Sequence, residues 1–217
     1  MTDVPFTAPL YAVTALFVVA AFLLGSIPFG VVVGRLFFHS DIRRSGSGNI
    51  GAANALRTFG KGGALAVLML DALKGFAPAW WALLDYAPPP VAMAVAALGG
   101  FAALLGHCYS PWLGWRGGKG VATHLGVVFA LSWQSGLAFI VAFAIAALPT
   151  GYSSLGSLTA TVVAAASLWY FVGPAGLAYG LAAGAVIFWR HRENIARLRE
   201  GKEHRMNLFA GRRRPSQ

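Results

Sequence analysis

The stretch DIRRSGSGNIGAANALR, residues 41 to 57, lies between two long apolar segments and combines three glycines with two serines, two asparagines and three arginines. That combination can hold an anion. Gly46, Gly48 and Gly51 admit positive φ and close backbone approach, so their successive N–H groups can form a concave nest. Ser47, Asn49 and Asn54 add neutral polar groups, and Arg57 can grip a phosphate through a two-pronged hydrogen-bond fork. The next apolar helix is expected to begin shortly after Arg57, placing a helix N-terminus beside the loop. The competing reading is a re-entrant turn whose arginines only mark topology. A nucleotide P-loop is excluded, because Gly-x4-Gly-Lys followed by Ser or Thr occurs nowhere in the chain.

A second stretch, GHCYSPWLGWRGGKGVATHLGV (residues 106 to 127), sets Gly117, Gly118 and Gly120 around Lys119 at the mouth of an apolar helix. Lys119 reads as a point-charge phosphate binder or as a snorkelling interface anchor. His107 could serve as base or ligand, but a lone histidine at a helix end is more often structural; Trp112 and Trp115 fit an interfacial belt. In the third stretch, WRHRENIARLREGKEHR (residues 189 to 205), His191, Asn194 and Leu198 share one helical stripe. They can face the bundle while the arginines face lipid headgroups. Glu193 and Arg197 are expected to pair at i, i+4, and Gly201 to end the helix. A basic amphipathic surface helix is the competing reading. Asp71 and Lys74 stand one turn apart inside an apolar run, where ionisable groups are costly and paired or functional, so Asp71 is read as a supporting carboxylate. GSIPFG, residues 25 to 30, reads as small-residue packing with a proline kink.

The elements that must position these groups are membrane spans. With 57% hydrophobic and 11% charged residues, one polytopic membrane domain over residues 1 to 217 is expected. The net charge of +10 is concentrated at residues 35 to 61, 116 to 119 and 190 to 214, between or beyond the apolar runs. This favours anionic lipid or a small anion over nucleic acid. The single Cys108 excludes an internal disulfide and a cysteine-rich metal site, and the N-terminus lacks the charged start of a cleavable signal.

Spans are expected at residues 9 to 36, 62 to 84, 91 to 108, 121 to 149, 155 to 172 and 175 to 190. As one helix, residues 121 to 149 would run roughly 44 Å against a hydrocarbon core of about 30 Å. SWQSG, residues 132 to 136, offers a break. Splitting there gives an all-α bundle of seven spans with the N-terminus outside, the C-terminus cytoplasmic and every basic cluster on the cytoplasmic face. A loose basic tail is expected from residue 203 to 217.

GSIPFG followed by DIRRSGSGNIGAAN and Arg57, then LDALKG, then GH with GGKGVAT, and last RHRENIARLREGKEHR resemble, in this order, the PlsY family of bacterial acyl-phosphate:glycerol-3-phosphate 1-acyltransferases. The resemblance covers almost the whole chain. It implies a seven-helix inner-membrane enzyme with its active site toward the cytoplasm. The implied reaction moves an acyl group from acyl phosphate to the 1-hydroxyl of glycerol 3-phosphate, giving lysophosphatidic acid and phosphate, with no metal, no cofactor and no thioester donor. It implies that Ser47, Arg57, Lys119, His191 and Asn194 are the catalytic set, and that the loop of Gly46, Gly48 and Gly51 receives the acyl-phosphate phosphoryl group. Two departures stand out: Ala53 where the family usually has threonine, and Pro111, one place later than the usual proline after GH.

An acyl phosphate is already activated, so direct attack by the glycerol hydroxyl needs only positioning and electrostatic stabilisation. Arg57, Lys119 and the glycines fit that demand. The base is either His191 or the acyl phosphate's own oxygens. The expected partners are the two substrates and membrane lipid, with no nucleic acid, around a monomer. The alternative class is a transporter or flippase for a phosphorylated lipid or metabolite, against which the lack of repeated halves speaks.

Overall fold

The structure is a computed structural model and describes residues 7–86 and 89–206. Its helices are α1 (Thr7–Ser26), α2 (Phe29–Phe38), α3 (Ala52–Trp81), α4 (Pro89–Cys108), α5 (Val121–Leu131), α6 (Trp133–Thr150), α7 (Ser153–Val172), α8 (Pro174–Arg190) and α9 (Arg192–Arg199). Tight turns at Ile42–Arg44 and Pro111–Leu113 and a wide turn at Ala82–Tyr86 complete the order. No strand occurs among the described residues, as a chain whose backbone must satisfy itself in lipid requires.

Among the described residues four helical stretches are long and apolar enough to cross a membrane, those built on α3, α4, α6 and α7; α1 and α2 qualify together as a bent fifth. The expected span over residues 9 to 36 is thus broken. Pro28 cannot donate to the ladder, the axis turns by 40°, and the carbonyl of Ile27 accepts both the Phe29 N–H at 3.1 Å and Lys74 Nζ at 2.7 Å. The split expected within residues 132 to 136 falls at Ser132, where extended backbone ends α5. The Ser132 hydroxyl then accepts the Ser135 N–H at 3.2 Å and caps α6. With 11 residues, α5 rises only about 16 Å, half a hydrocarbon core. The apolar span expected to start shortly after Arg57 does so beyond Gly60 (φ 75°, ψ −168°), but α3 also has an unexpected first segment, which Gly51 opens at Ala52. Arg57 therefore sits within a first short helical segment.

Small residues let the helices meet backbone to backbone. A side chain at Gly25 would stand 2.1 Å from the Ala103 carbonyl, which seats α1 on α4; one at Gly126 would stand 1.9 Å from the Ala72 carbonyl, which seats α5 on α3. The main core gathers Leu104, Val127, Leu168 and Ile187, all fully buried. A second cluster of Val33, Ile42, Ile50 and Val67 pins the loop of residues 41 to 51 onto α2 and α3. Leu16, Ile145 and Tyr170 point outward and are largely exposed, as lipid-facing positions would be.

Candidate active site

Asn54 organises the first loop. Its Oδ1 accepts the Ser47 N–H at 2.8 Å, and its Nδ2 donates to the carbonyls of Asn49 (2.8 Å), Ser45 (3.0 Å) and Ile42 (3.1 Å). Asn54 is 1% exposed, so this side chain, expected to touch substrate, is used up in folding the loop. The expected glycine nest is corrected in the same way: the Gly48 N–H donates to Ser45 and the Gly51 N–H to Asn49 Oδ1. The N–H groups of Ala52 and Ala53, in the first turn of α3, have no partner among the described residues, and both residues line the cavity described below. These helix-terminal donors and the exposed Ser47 hydroxyl are the groups of the loop left open to an anion. Gly46 (φ 60°) fits because any side chain would stand 2.2 Å from Asn54 Oδ1.

The second loop is fixed from both sides. Gly117 N–H donates to the Cys108 carbonyl (3.1 Å) and Gly118 N–H to that of His107 (3.0 Å), which ties off the end of α4. The two glycine carbonyls accept from Arg190, at 2.6 Å to Gly117 and 3.0 Å to Gly118. Arg190 therefore turns inward, where a lipid-facing position was expected. Gly118 lies flat on the His107 ring, 2.2 Å from Nε2 to a built Cβ, and His107 Nδ1 stands 3.6 Å from Asp71 Oδ1. The Asp71–Lys74 pair forms as expected, at 2.7 Å with both side chains 1% exposed. Gly120, in the left-handed region, then starts α5, so the glycines aim Lys119 while the N–H groups of Gly117 and Gly118 are spent on α4.

Lys119 Nζ donates to Asn194 Oδ1. Asn194 Nδ2 passes the chain on to Glu203 Oε1 at 2.6 Å, and Glu203 Oε2 accepts from Arg197 Nε at 2.8 Å. The expected Glu193–Arg197 pair is thus replaced by Arg197–Glu203, and Glu193 is largely exposed. Gly201 makes this possible. Its N–H bonds the Leu198 carbonyl and that of Lys202 bonds Arg197, a cap that reverses the chain after α9. The start of the tail, expected to be loose, is engaged as far as Met206, whose N–H donates to Gly151 at 2.7 Å; the rest of it lies outside the described residues. The carbonyl of His204 also accepts from Arg57 at 3.4 Å.

Burial lowers Lys119 to about 8. His191 is lowered to about 4, by burial first and by the Lys119 charge second. Burial pushes Glu203 up, but hydrogen bonds from Asn194 and Arg197 more than offset it, and its pKa is lowered. His191 Nδ1 stands 2.8 Å from the Ile187 carbonyl, so Nδ1 carries the proton and Nε2 is the acceptor.

Ser47, Arg57, Lys119, His191 and Asn194 all line one cavity of about 800 Å³, together with Gly48, Asn49, Gly51, Gly117, Gly120, Asp71, His107 and Glu193. Gly46 and Gly118 stand behind this wall as loop formers. The opposite wall is apolar, built from Leu65 and Leu68 of α3, Leu125 of α5, and Phe139, Ile140 and Phe143 of α6. Sequence reasoning missed Arg197, Glu203 and His204 in the lining. The only cue was Gly201, whose cap folds residue 203 back onto residue 194.

A bundle of membrane-length apolar helices around a half-cationic, half-apolar cavity defines an integral membrane protein. Comparison makes this specific: residues 15–201 match the family model described as glycerol-3-phosphate acyltransferase. A glycerol-3-phosphate acyltransferase of Erythrobacter litoralis is 43% identical over 85% of this chain and 91% of its own length; one of Anaeromyxobacter sp. strain Fw109-5 is 47% identical over 88% and 95%. Crystal structures of PlsY (YgiH), an integral membrane glycerol 3-phosphate acyltransferase, superpose with TM-scores of 0.82 for the glycerol 3-phosphate form and 0.80 for the lysophosphatidic acid form. They are 42% and 41% identical, and each match covers 88% of this chain and 94% of the other. The chain belongs to the glycerol-3-phosphate acyltransferase family.

Proposed function

We propose that this chain transfers a fatty acyl group from acyl phosphate to the 1-hydroxyl of sn-glycerol 3-phosphate, giving lysophosphatidic acid and inorganic phosphate at the cytoplasmic face of the inner membrane. The observation that carries the proposal is the cavity itself. Its polar end gathers Ser47, Arg57, Lys119, His191 and Asn194 from distant parts of the chain, and its other wall suits an acyl tail.

The chemistry needed is positioning and charge stabilisation, because a mixed anhydride is already activated. Ser47 and the first turn of α3 receive the donor's phosphoryl group, and Arg57 offsets the charge that grows as phosphate leaves. Lys119 and Asn194 bind the acceptor's phosphate. His191 Nε2 accepts a hydrogen bond from the attacking hydroxyl and aligns it on the acyl carbon. Burial and the Lys119 charge lower the His191 pKa, and the hydroxyl proton is assigned to a phosphoryl oxygen of the donor, with which it leaves. The C–O bond to phosphate breaks, the ester bond forms, and phosphate departs protonated.

No acyl-enzyme is needed. Cys108 is fully buried and absent from the cavity lining, which supports direct transfer. The basic clusters support seven spans, an outside N-terminus and a cytoplasmic site, and the break at Ser132 supports counting α5 and α6 apart. Incubation with labelled glycerol 3-phosphate and acyl phosphate is expected to place label in lysophosphatidic acid, while protein incubated with acyl phosphate alone keeps its unmodified mass. An acyl adduct on the protein that is discharged by glycerol 3-phosphate would refute direct transfer.

A further inference from the structure

We propose that Arg197 is a third phosphate-binding cation of this site and holds the phosphate of the glycerol 3-phosphate acceptor, an inference that rests on the acyl-transfer reading above. The need is electrostatic. Each phosphate group carries about −1.5 to −2 at neutral pH, so two of them bring three to four negative charges to Arg57 and Lys119. Three further cations line the cavity besides Arg197, and none is placed to serve. Arg43 is already clamped by Asp41, with Nε at 2.9 Å and Nη2 at 2.6 Å from its two oxygens, while Lys61 and Arg116 are exposed.

Arg197 is built differently. Its side chain is 32% exposed and its Nε edge is committed to Glu203, whose own side chain is 4% exposed. The two terminal amino groups have no partner among the described residues, and the residue lines the cavity. An arginine held by one edge presents the other as a rigid pair of donors, the geometry that matches two oxygens of one phosphate. Its location selects which phosphate. Arg197 stands one turn beyond Asn194, which takes Lys119 Nζ on Oδ1 and gives Nδ2 to the same Glu203. Glu203 thus sets Asn194 and Arg197 in one frame around Lys119, the cation assigned to the acceptor's phosphate.

The test is kinetic and binding measurement on purified Arg197→Lys and Arg197→Gln. Both are expected to raise KM for glycerol 3-phosphate about tenfold or more, leave KM for acyl phosphate within about twofold, and weaken calorimetric binding of glycerol 3-phosphate alone to match. Arg197→Gln strands a buried carboxylate and can fail to fold; Arg197→Lys keeps the counter-charge while losing the fork, and decides the matter alone in that case. Unchanged KM and binding for glycerol 3-phosphate in Arg197→Lys, or a rise confined to acyl phosphate, overturns the assignment. Binding needs no donor, so a wild-type protein that binds glycerol 3-phosphate but ignores acyl phosphate overturns the donor reading, while lost binding in Arg197→Lys still supports the arginine.

Discussion

In the proposed reaction two cations carry the chemistry at the scale of single residues, and their settings differ. Arg57 is half-buried, while Lys119 is tied to Asn194. Arg57→Ala and Lys119→Ala are each expected to cut turnover more than about tenfold in a protein that still extracts and folds, since a charge aimed at the reacting phosphate is lost. Retention of over about a tenth of wild-type activity removes that residue from the mechanism.

The burial that lowers Lys119 to about 8 adds a pH signature: kcat/KM for glycerol 3-phosphate falls as pH rises through about 8, and Lys119→Arg moves that limb upward. His191 has the opposite window. Its pKa of about 4 lies below the unfolded value of 6.5, so the unfolded chain binds the proton first and stability declines as pH drops from 6.5 toward 4. Melting temperatures over that range should fall less steeply in His191→Asn than in wild type. These residues were legible from their types alone, whereas Asn54 was not: its identity suggests a ligand, and only the folded loop shows its amide consumed by three carbonyls and one N–H.

At the scale of elements, position is transmitted by close packing. The loop bearing Lys119 rests on His107, which faces Asp71, which pairs with Lys74, which holds the Ile27 carbonyl at the break by Pro28. A substitution at Gly117 puts a Cβ 2.0 Å from the His107 carbonyl, so Gly117→Ala must shift the loop. Since about 1 Å of misplacement can cost up to about a hundredfold, kcat/KM should drop at least tenfold with little change in expression. Normal kinetics would mean that the loop's seat on α4 is unimportant. The sequence foresaw the break in residues 121 to 149 because helix length is set by the bilayer. It did not foresee the helical segment before Gly60, whose AANALRTF pattern lacks a capping side chain, nor Arg197 turning to Glu203, since helical spacing speaks only for neighbours within α9.

The whole molecule joins these pieces through α5. This short helix packs on α3, α4 and α6 and contributes Leu125 to the apolar wall of a cavity whose other wall is cationic. Composition alone made a membrane bundle legible, and the ordered glycine-rich stretches made the family legible. The meeting of residues 47, 57, 119, 191 and 194 on one cavity needed the fold, because no periodicity relates them. The central claim is that this cavity couples an acyl phosphate to glycerol 3-phosphate directly. The most direct measurement is phosphate release and lysophosphatidic acid formation by purified protein, with acyl-CoA as the alternative donor. One phosphate per lysophosphatidic acid from acyl phosphate, and no product from acyl-CoA, is the predicted result; product formed from acyl-CoA at a comparable rate, or phosphate release without acylated glycerol, would contradict it.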